Sequence, residues 1–222
     1  MIDSTRLKRK YRFTDGVLIQ LVDSVILSAT EDILVLDPLG VTTTRLAALE
    51  AANNAFRNTD DDVEWLGLVS EKRELKEAAL ALCETRSNNI RRMVQNVYGN
   101  RSAMYKRFGF VRINTRKELE RIKAYYRVWR MATEHAADLA AEGLTAAVLA
   151  DLLSACQNCD AAYDAMEDTT IDRDIAAEAR TAFGNSIFAE VTKICNTGKS
   201  YWKDKSESRS NRYVIAQSVD SH

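Results

Sequence analysis

Two short joints constrain this chain more than any other feature of its sequence. Gly40-Val41-Thr42 and Gly143-Leu144-Thr145 each follow a segment with apolar residues at helical spacing and precede another such segment. Glycine suits the left-handed residue just past a helix end. The apolar residue after it can fold back on the helix it has left. Threonine then accepts a hydrogen bond from an orphan N–H at the start of the next helix. Three residues therefore stop one helix and start another, which specifies a helical hairpin.

From Gly40 to Gly143 the offset is 103 residues, and the match extends both ways without a gap. Upstream, Ile19, Val22, Val25, Ile26, Ala29, Ile33 and Leu36 align with Ile122, Tyr125, Val128, Trp129, Ala132, Ala136 and Leu139. Downstream, Leu46, Leu49 and Ala52 align with Leu149, Leu152 and Ala155. Steps of three and four residues mark one helical face. A gapless register across two helices implies an internal duplication.

Composition supports helices throughout. The 222 residues include one proline, Pro38, and eight glycines. Alanine, leucine, glutamate, lysine and arginine, which lose little side-chain freedom in a helix, fill the long segments. The expected fold is all-α, a six-helix bundle made of two tandem three-helix units. The predicted helices run over 15–37, 43–58, 63–98, 115–141, 146–165 and 170–197. Residues 1–13 form a basic arm, 14–99 the first unit, 100–114 a linker, 115–198 the second unit and 199–222 a polar tail. The third helices carry apolar stripes of their own. These are Leu68, Leu75, Ala79, Leu82, Ile90, Val94 and Val97 in one, and Ile171, Ile175, Ala179, Phe183, Ile187, Val191 and Ile194 in the other. They end at Gly99 and Gly198.

Charge narrows the function classes. With 31 basic and 32 acidic residues the net charge is −1, without the basic excess expected of a chain that wraps nucleic acid. No run approaches the ~18 apolar residues of a membrane span. The first residues are basic and polar with no apolar segment behind them, so the expectation is a chain that is cytoplasmic at synthesis. Four cysteines read as reduced thiols.

Candidate chemistry is sparse. Cys156-Gln157-Asn158-Cys159 has the spacing of a redox or zinc-binding pair, but it lies inside a helix with no preceding strand, so structural cysteines are expected. His135 has no glutamate three residues before it, which excludes the paired Glu-x-x-His element of di-iron bundles. Asp60-Asp61-Asp62 lacks calcium-loop spacing and reads as an acidic loop capping the next helix. Tyr125 and Trp129 lie on the repeated apolar face and are expected to pack in the core. Lys72 and Arg86 interrupt an apolar stripe and call for acidic partners such as Glu31 or Asp174, or for exposure of their charged ends. No catalytic residue, cofactor or metal ligand is expected.

Lys106-Arg107-Phe108-Gly109-Phe110-Val111-Arg112-Ile113 resembles the RNP1 octamer of RNA-recognition motifs, with Arg107 and Ile113 departing from the pattern. The resemblance implies that Phe108 and Phe110 stack on bases from a central strand. Helices flank the octamer here, and the competing reading is a linker whose phenylalanines plug a junction.

Two main function classes follow. The first is a non-enzymatic structural or assembly protein whose partners are proteins, possibly copies of itself. Arg9, Tyr11, Phe13, Tyr213, Val214 and Ile215 in its two arms are the candidate contacts. Arms that fold back on their own bundle are the alternative for these residues. The second is an enzyme or ligand-binding protein with an inter-helix pocket, and RNA binding through 106–113 comes third.

Overall fold

The computed structural model describes residues 7–215. The first six residues of the basic arm and the last seven of the polar tail lie outside them. The chain is 82% helical, and no strand occurs among the described residues. The fold class is all-α.

Helices α1 (Asp15–Glu31), α2 (Ile33–Leu36) and α3 (Thr43–Arg57) form the first hairpin. The expected single helix over 15–37 is interrupted at Asp32, whose N–H bonds to Ser28 O at 3.1 Å. Gly40 takes the left-handed conformation, φ 86°. Val41 N–H reaches back to Leu36 O at 3.1 Å, and Thr42 caps α3 by accepting from Arg45 N–H at 3.2 Å.

After α4 (Asp62–Tyr98) and the short α5 (Ala103–Phe108), the pattern recurs in α6 (Glu118–Glu134), α7 (Ala136–Leu139) and the start of α8 (Ala146–Trp202). The interruption falls at His135. Gly143 has φ 95°, Leu144 N–H bonds Leu139 O at 3.2 Å, and Thr145 Oγ1 accepts from Val148 N–H at 3.3 Å. Helix ends, left-handed glycines and caps therefore correspond at the 103-residue offset. So do the buried pairs Val25 and Val128, Ala29 and Ala132, Leu36 and Leu139, and Leu49 and Leu152.

Helix α8 departs from expectation. Two helices were predicted over 146–165 and 170–197, and a single helix of 57 residues is found. Thr169 and Thr170 donate their hydroxyls to Ala165 O at 2.7 Å and Met166 O at 2.9 Å. This back-bonding satisfies side chains that would otherwise compete with the backbone, so the helix continues. Gly198 is likewise not a terminator, because α8 runs through it to Trp202.

The chain forms two compact units, with boundaries different from 14–99 and 115–198. Unit 1 combines Met1–Asp62 with Arg173–His222, and unit 2 is the continuous stretch Val63–Asp172. The last part of α8 thus packs with the first hairpin, while α4 packs with the second. Unit 1 buries Leu18, Leu21, Val22, Val25, Leu49 and Phe56 with Ile187, Val191 and Ile194. Unit 2 buries Leu80, Cys83, Ile90 and Val94 of α4 with Tyr125, Val128, Leu152 and Cys156.

The predicted α4 stripe matches the buried face at Ile90 and Val94, with Ala79 packed against it, and departs from it elsewhere. Val69, Lys76, Leu80, Cys83, Ser87, Ile90, Met93 and Val94 are buried, whereas Leu68, Leu75, Leu82 and Val97 are exposed. Lys76 is the buried cation, 5% exposed, and its ammonium pairs with Glu118 at 2.7 Å. Arg86 is exposed and lies 3.8 Å from Asp151, not Glu31 or Asp174, and Lys72 is half-buried. No single helix among the described residues is long and apolar enough to cross a membrane.

Both arms lie back on unit 1. Tyr11 is 4% exposed and donates to Asp15 at 2.8 Å. Arg9 pairs with the same carboxylate at 2.8 Å, and the Phe13 ring sits 5.3 Å from Tyr11 and 5.9 Å from Phe188. Asn185 ties down the backbone, donating to Lys8 O at 3.0 Å and accepting from Lys10 N–H at 2.7 Å. On the C-terminal side α9 (Glu207–Asn211) returns the chain to α8. Tyr213 is 1% exposed, and its ring lies flat against Gly198, where a Cβ would stand 2.6 Å from Cδ1. Its hydroxyl donates to buried Asp32 at 2.9 Å, and Trp202 Nε1 and Arg209 Nη1 reach the same carboxylate at 2.8 and 2.9 Å. Val214 and Ile215 are half-buried.

Candidate functional site in unit 2

The octamer 106–113 does not form a strand. Its first three residues end α5, Gly109 turns the chain in the left-handed region, and Ile113 starts a short 3-10 turn. Phe108 and Phe110 are buried and stacked on each other, centroids 5.4 Å apart and planes 8° off parallel. Tyr105 adds a third ring 5.3 Å from Phe110. Neither phenylalanine face is open to a base, so the RNA-stacking role is corrected to core packing. The flanking segment contributes something else, one side of a polar cavity.

This cavity, about 110 Å³ in volume, lies between α4, residues 110–114 and α6. From α4 come Glu84, Ser87, Asn88 and Arg91. The 110–114 segment supplies Phe110, Arg112, Ile113 and Asn114, and α6 supplies Tyr125. Glu84, Ser87, Asn88 and Arg91 step by three, one and three residues, which places them along one side of the helix. Buried Phe110 and Ile113 anchor the segment, so Arg112 between them is held at the rim.

Arg112 is the one non-glycine residue with positive φ among the described residues, φ 57° and ψ 31°. A side chain in this region costs on the order of 1 kcal/mol relative to glycine. Its carbonyl accepts from Thr115 Oγ1 at 3.1 Å, which stabilises the turn. Its guanidinium has no carboxylate partner among the described residues. Arg91 donates from Nε to Tyr105 Oη at 2.6 Å, which orients the guanidinium and leaves its terminal nitrogens free of protein acceptors among the described residues.

Tyr125 closes the cavity from α6. The residue is 1% exposed, yet its hydroxyl proton has no acceptor among the described residues, since the neighbouring Arg121 guanidinium can only donate to the oxygen. A buried polar group left unpaired costs about 1–3 kcal/mol. Burial raises the Tyr125 pKa, the Arg121 guanidinium nearby offsets part of the rise, and Glu84 adds to it. The hydroxyl is therefore a neutral donor at ordinary pH. Glu84 is the only acidic side chain in the lining, and it is engaged, accepting from Asn114 Nδ2 and from Arg121 Nη2 at 3.3 Å.

The C-x-x-C thiols are placed in the core. Cys156 and Cys159 are fully buried, and Cys83 of α4, which sequence spacing did not join to them, lies within hydrogen-bonding range of both. Donation of its proton to Cys156, together with burial, pushes the Cys83 thiol up to about 12, although the bond from Cys159 pulls the other way. A Cys83 thiol so disfavoured as a thiolate is a poor nucleophile. His135 packs edge-on against Tyr98, centroids 6.3 Å apart, with Nδ1 3.5 Å from Asp138. Of the six arm residues singled out as partner contacts, none lies at the cavity, and all belong to unit 1.

These features describe an all-helical protein with a small, donor-rich cavity in one unit. No family model, curated protein or solved structure matches the chain.

Proposed function

We propose that the protein is a non-enzymatic binding protein that takes a small polar molecule, or one polar group of a larger one, in the unit 2 cavity. The observation that carries this reading is the buried Tyr125 hydroxyl, whose proton has no acceptor among the described residues, beside a rim arginine held in the left-handed region. Strained or unsatisfied groups persist where the fold over-determines them, and binding sites are where they gather. The reading is tested by thermal melting of the full chain against a panel of small polar metabolites. Some panel members should raise the unit 2 melting temperature, and Tyr125→Phe should reduce the rise. A panel with no effect on the wild type argues against the reading.

A second reading, assembly through protein contacts, is supported by the outer face of α4. Leu68, Leu75 and Leu82 are exposed at seven-residue spacing, the repeat with which helices pair. The arms contribute less to this reading, since Tyr11 and Tyr213 are used within unit 1. Sedimentation tests it: Leu75→Glu should lower the mass of any oligomer while leaving helicity unchanged. The residue-by-residue correspondence of the two hairpins supports descent from one duplicated unit. In that history the third helices of the two copies have come to pack in each other's unit.

A further inference from the structure

We infer that the group held in the unit 2 cavity is a small oxyanion, a phosphate or carboxylate bound by Arg112, Arg91 and Tyr125; this rests on the binding reading above. The cavity lining is dominated by donors. Arg91 and Arg112 bring two guanidiniums to the lining, Asn88 a side-chain amide and Tyr125 a hydroxyl whose proton has no acceptor among the described residues. Ser87, buried at 2% exposure, places a hydroxyl on the same wall. The single carboxylate, Glu84, already accepts from Asn114 and Arg121, so it neither attracts a cation nor cancels both arginines. Arginine forks match the planar carboxylate and the phosphate face better than any neutral ligand.

Size selects the same class. About 110 Å³ is far below the roughly 300–1,000 Å³ typical of drug-sized ligands and cofactors. It admits a phosphate, an acetate or the anionic end of a longer molecule whose remainder stays in solvent beyond exposed Arg112 and Asn88. The left-handed backbone at Arg112 brings its side chain to the rim between two buried anchors, Phe110 and Ile113. A glycine would be the unstrained choice there, so the arginine is explained by what its side chain holds.

The test is calorimetric titration of the full chain with inorganic phosphate, methyl phosphate and acetate, with glycerol and acetamide as neutral probes of similar size. Amide NMR shifts of residues 84–91, 110–114 and 125 locate the binding. At least one oxyanion should bind and shift these signals, and the preferred one separates phosphate from carboxylate chemistry. Tyr125→Phe should weaken binding about tenfold or less, the loss of one hydrogen bond. Arg112→Gln should weaken it more. Arg112→Gly should weaken it as much as Arg112→Gln while leaving the fold at least as stable as wild type, which separates lost binding from lost folding. If glycerol or acetamide shifts the cavity signals and no anion does, the oxyanion inference falls while the binding reading stands. If no probe shifts them, both fall. Anion binding that survives Arg112→Gln and Tyr125→Phe unchanged overturns the assignment to this cavity.

Discussion

Replacing glycine with alanine in the interior of a helix ordinarily stabilises it by about 0.5–1 kcal/mol, and this protein contains two helical glycines at which the same change should act with opposite sign. Gly67 in α4 has open space where a Cβ would go, whereas at Gly198 the new carbon would stand 2.6–2.7 Å from three atoms of the Tyr213 ring. Ordinary contact begins near 3.4 Å, so the ring must retreat. It is held against retreat by its hydroxyl, which is bonded to Asp32, and that carboxylate is fixed in turn by Trp202 and Arg209. Overpacking of this kind costs ~1–3 kcal/mol, which outweighs the helix gain. Gly198→Ala should therefore destabilise unit 1 by about 1 kcal/mol, and Gly67→Ala should stabilise unit 2 by up to about 1 kcal/mol. Urea unfolding followed by circular dichroism gives the sign. Amide hydrogen exchange over 187–197 assigns it to unit 1 without assuming that both units unfold together. In a Tyr213→Ala background, itself strongly destabilised by loss of a buried ring, Gly198→Ala should turn stabilising, because the clash has gone. If Gly198→Ala stabilises the intact chain as Gly67→Ala does, Tyr213 does not seat on α8 and the account of the C-terminal arm is wrong.

Three further outcomes are expected. Gly143→Val places a β-branched residue at φ 95° and should lower stability by roughly 1–2 kcal/mol, read as a drop in the urea midpoint; an unchanged midpoint refutes the joint. Lys76→Met keeps the buried stem and removes a charge whose partner Glu118 is 40% exposed and can return to water. It should be neutral or stabilising within ~1 kcal/mol, and a large loss would show that the pair itself holds α4 in place. Alkaline unfolding should begin near pH 9. Burial pushes Cys195 from 9.0 up to about 12, and Tyr11 rises from 10.0 to about 12 through burial and its bond to Asp15. The unfolded chain gives up these protons first, so stability present below pH 9 declines between pH 9 and 12. A flat stability profile over that range would contradict the buried placement.

What the sequence made legible was whatever a few adjacent residues decide. Gly-apolar-Thr specifies a left-handed stop, a backward contact and a cap within three positions, and both joints have that geometry. The phase of the first half of α4 was hidden because Leu68, Leu75 and Leu82 repeat every seven residues, and an exposed heptad line looks like a core stripe, whereas Ile90 and Val94 further along are buried as expected. Helix geometry instead buries a line containing Lys76 and Ser87, which single-residue hydrophobicity places outside. The continuity of α8 was missed because Thr169 and Thr170 usually favour caps, and only their bonds to the preceding turn reveal otherwise. The cavity was beyond reach for a different reason. Its walls come from residues 84–91, 110–114 and 125, and no local pattern states that a buried tyrosine and two arginines will line one cavity.

The composition of unit 1 from two distant stretches sets a constraint on its synthesis. Residues 15–57 leave the ribosome with Leu18, Leu21, Val22 and Val25 ready to pack, but Ile187, Val191 and Ile194, which cover them, emerge more than a hundred residues later. At 5–20 residues per second that interval is roughly 5–25 s. Unit 2, being contiguous, can close in the meantime. The nascent first hairpin spends those seconds with an uncovered apolar face, the state in which a helper protein or a neighbouring nascent chain finds it. Nascent chains stalled so that residues up to 172 have cleared the exit tunnel while 187–194 are still inside it should therefore carry a protease-resistant unit 2 and a sensitive first hairpin, and release should protect both.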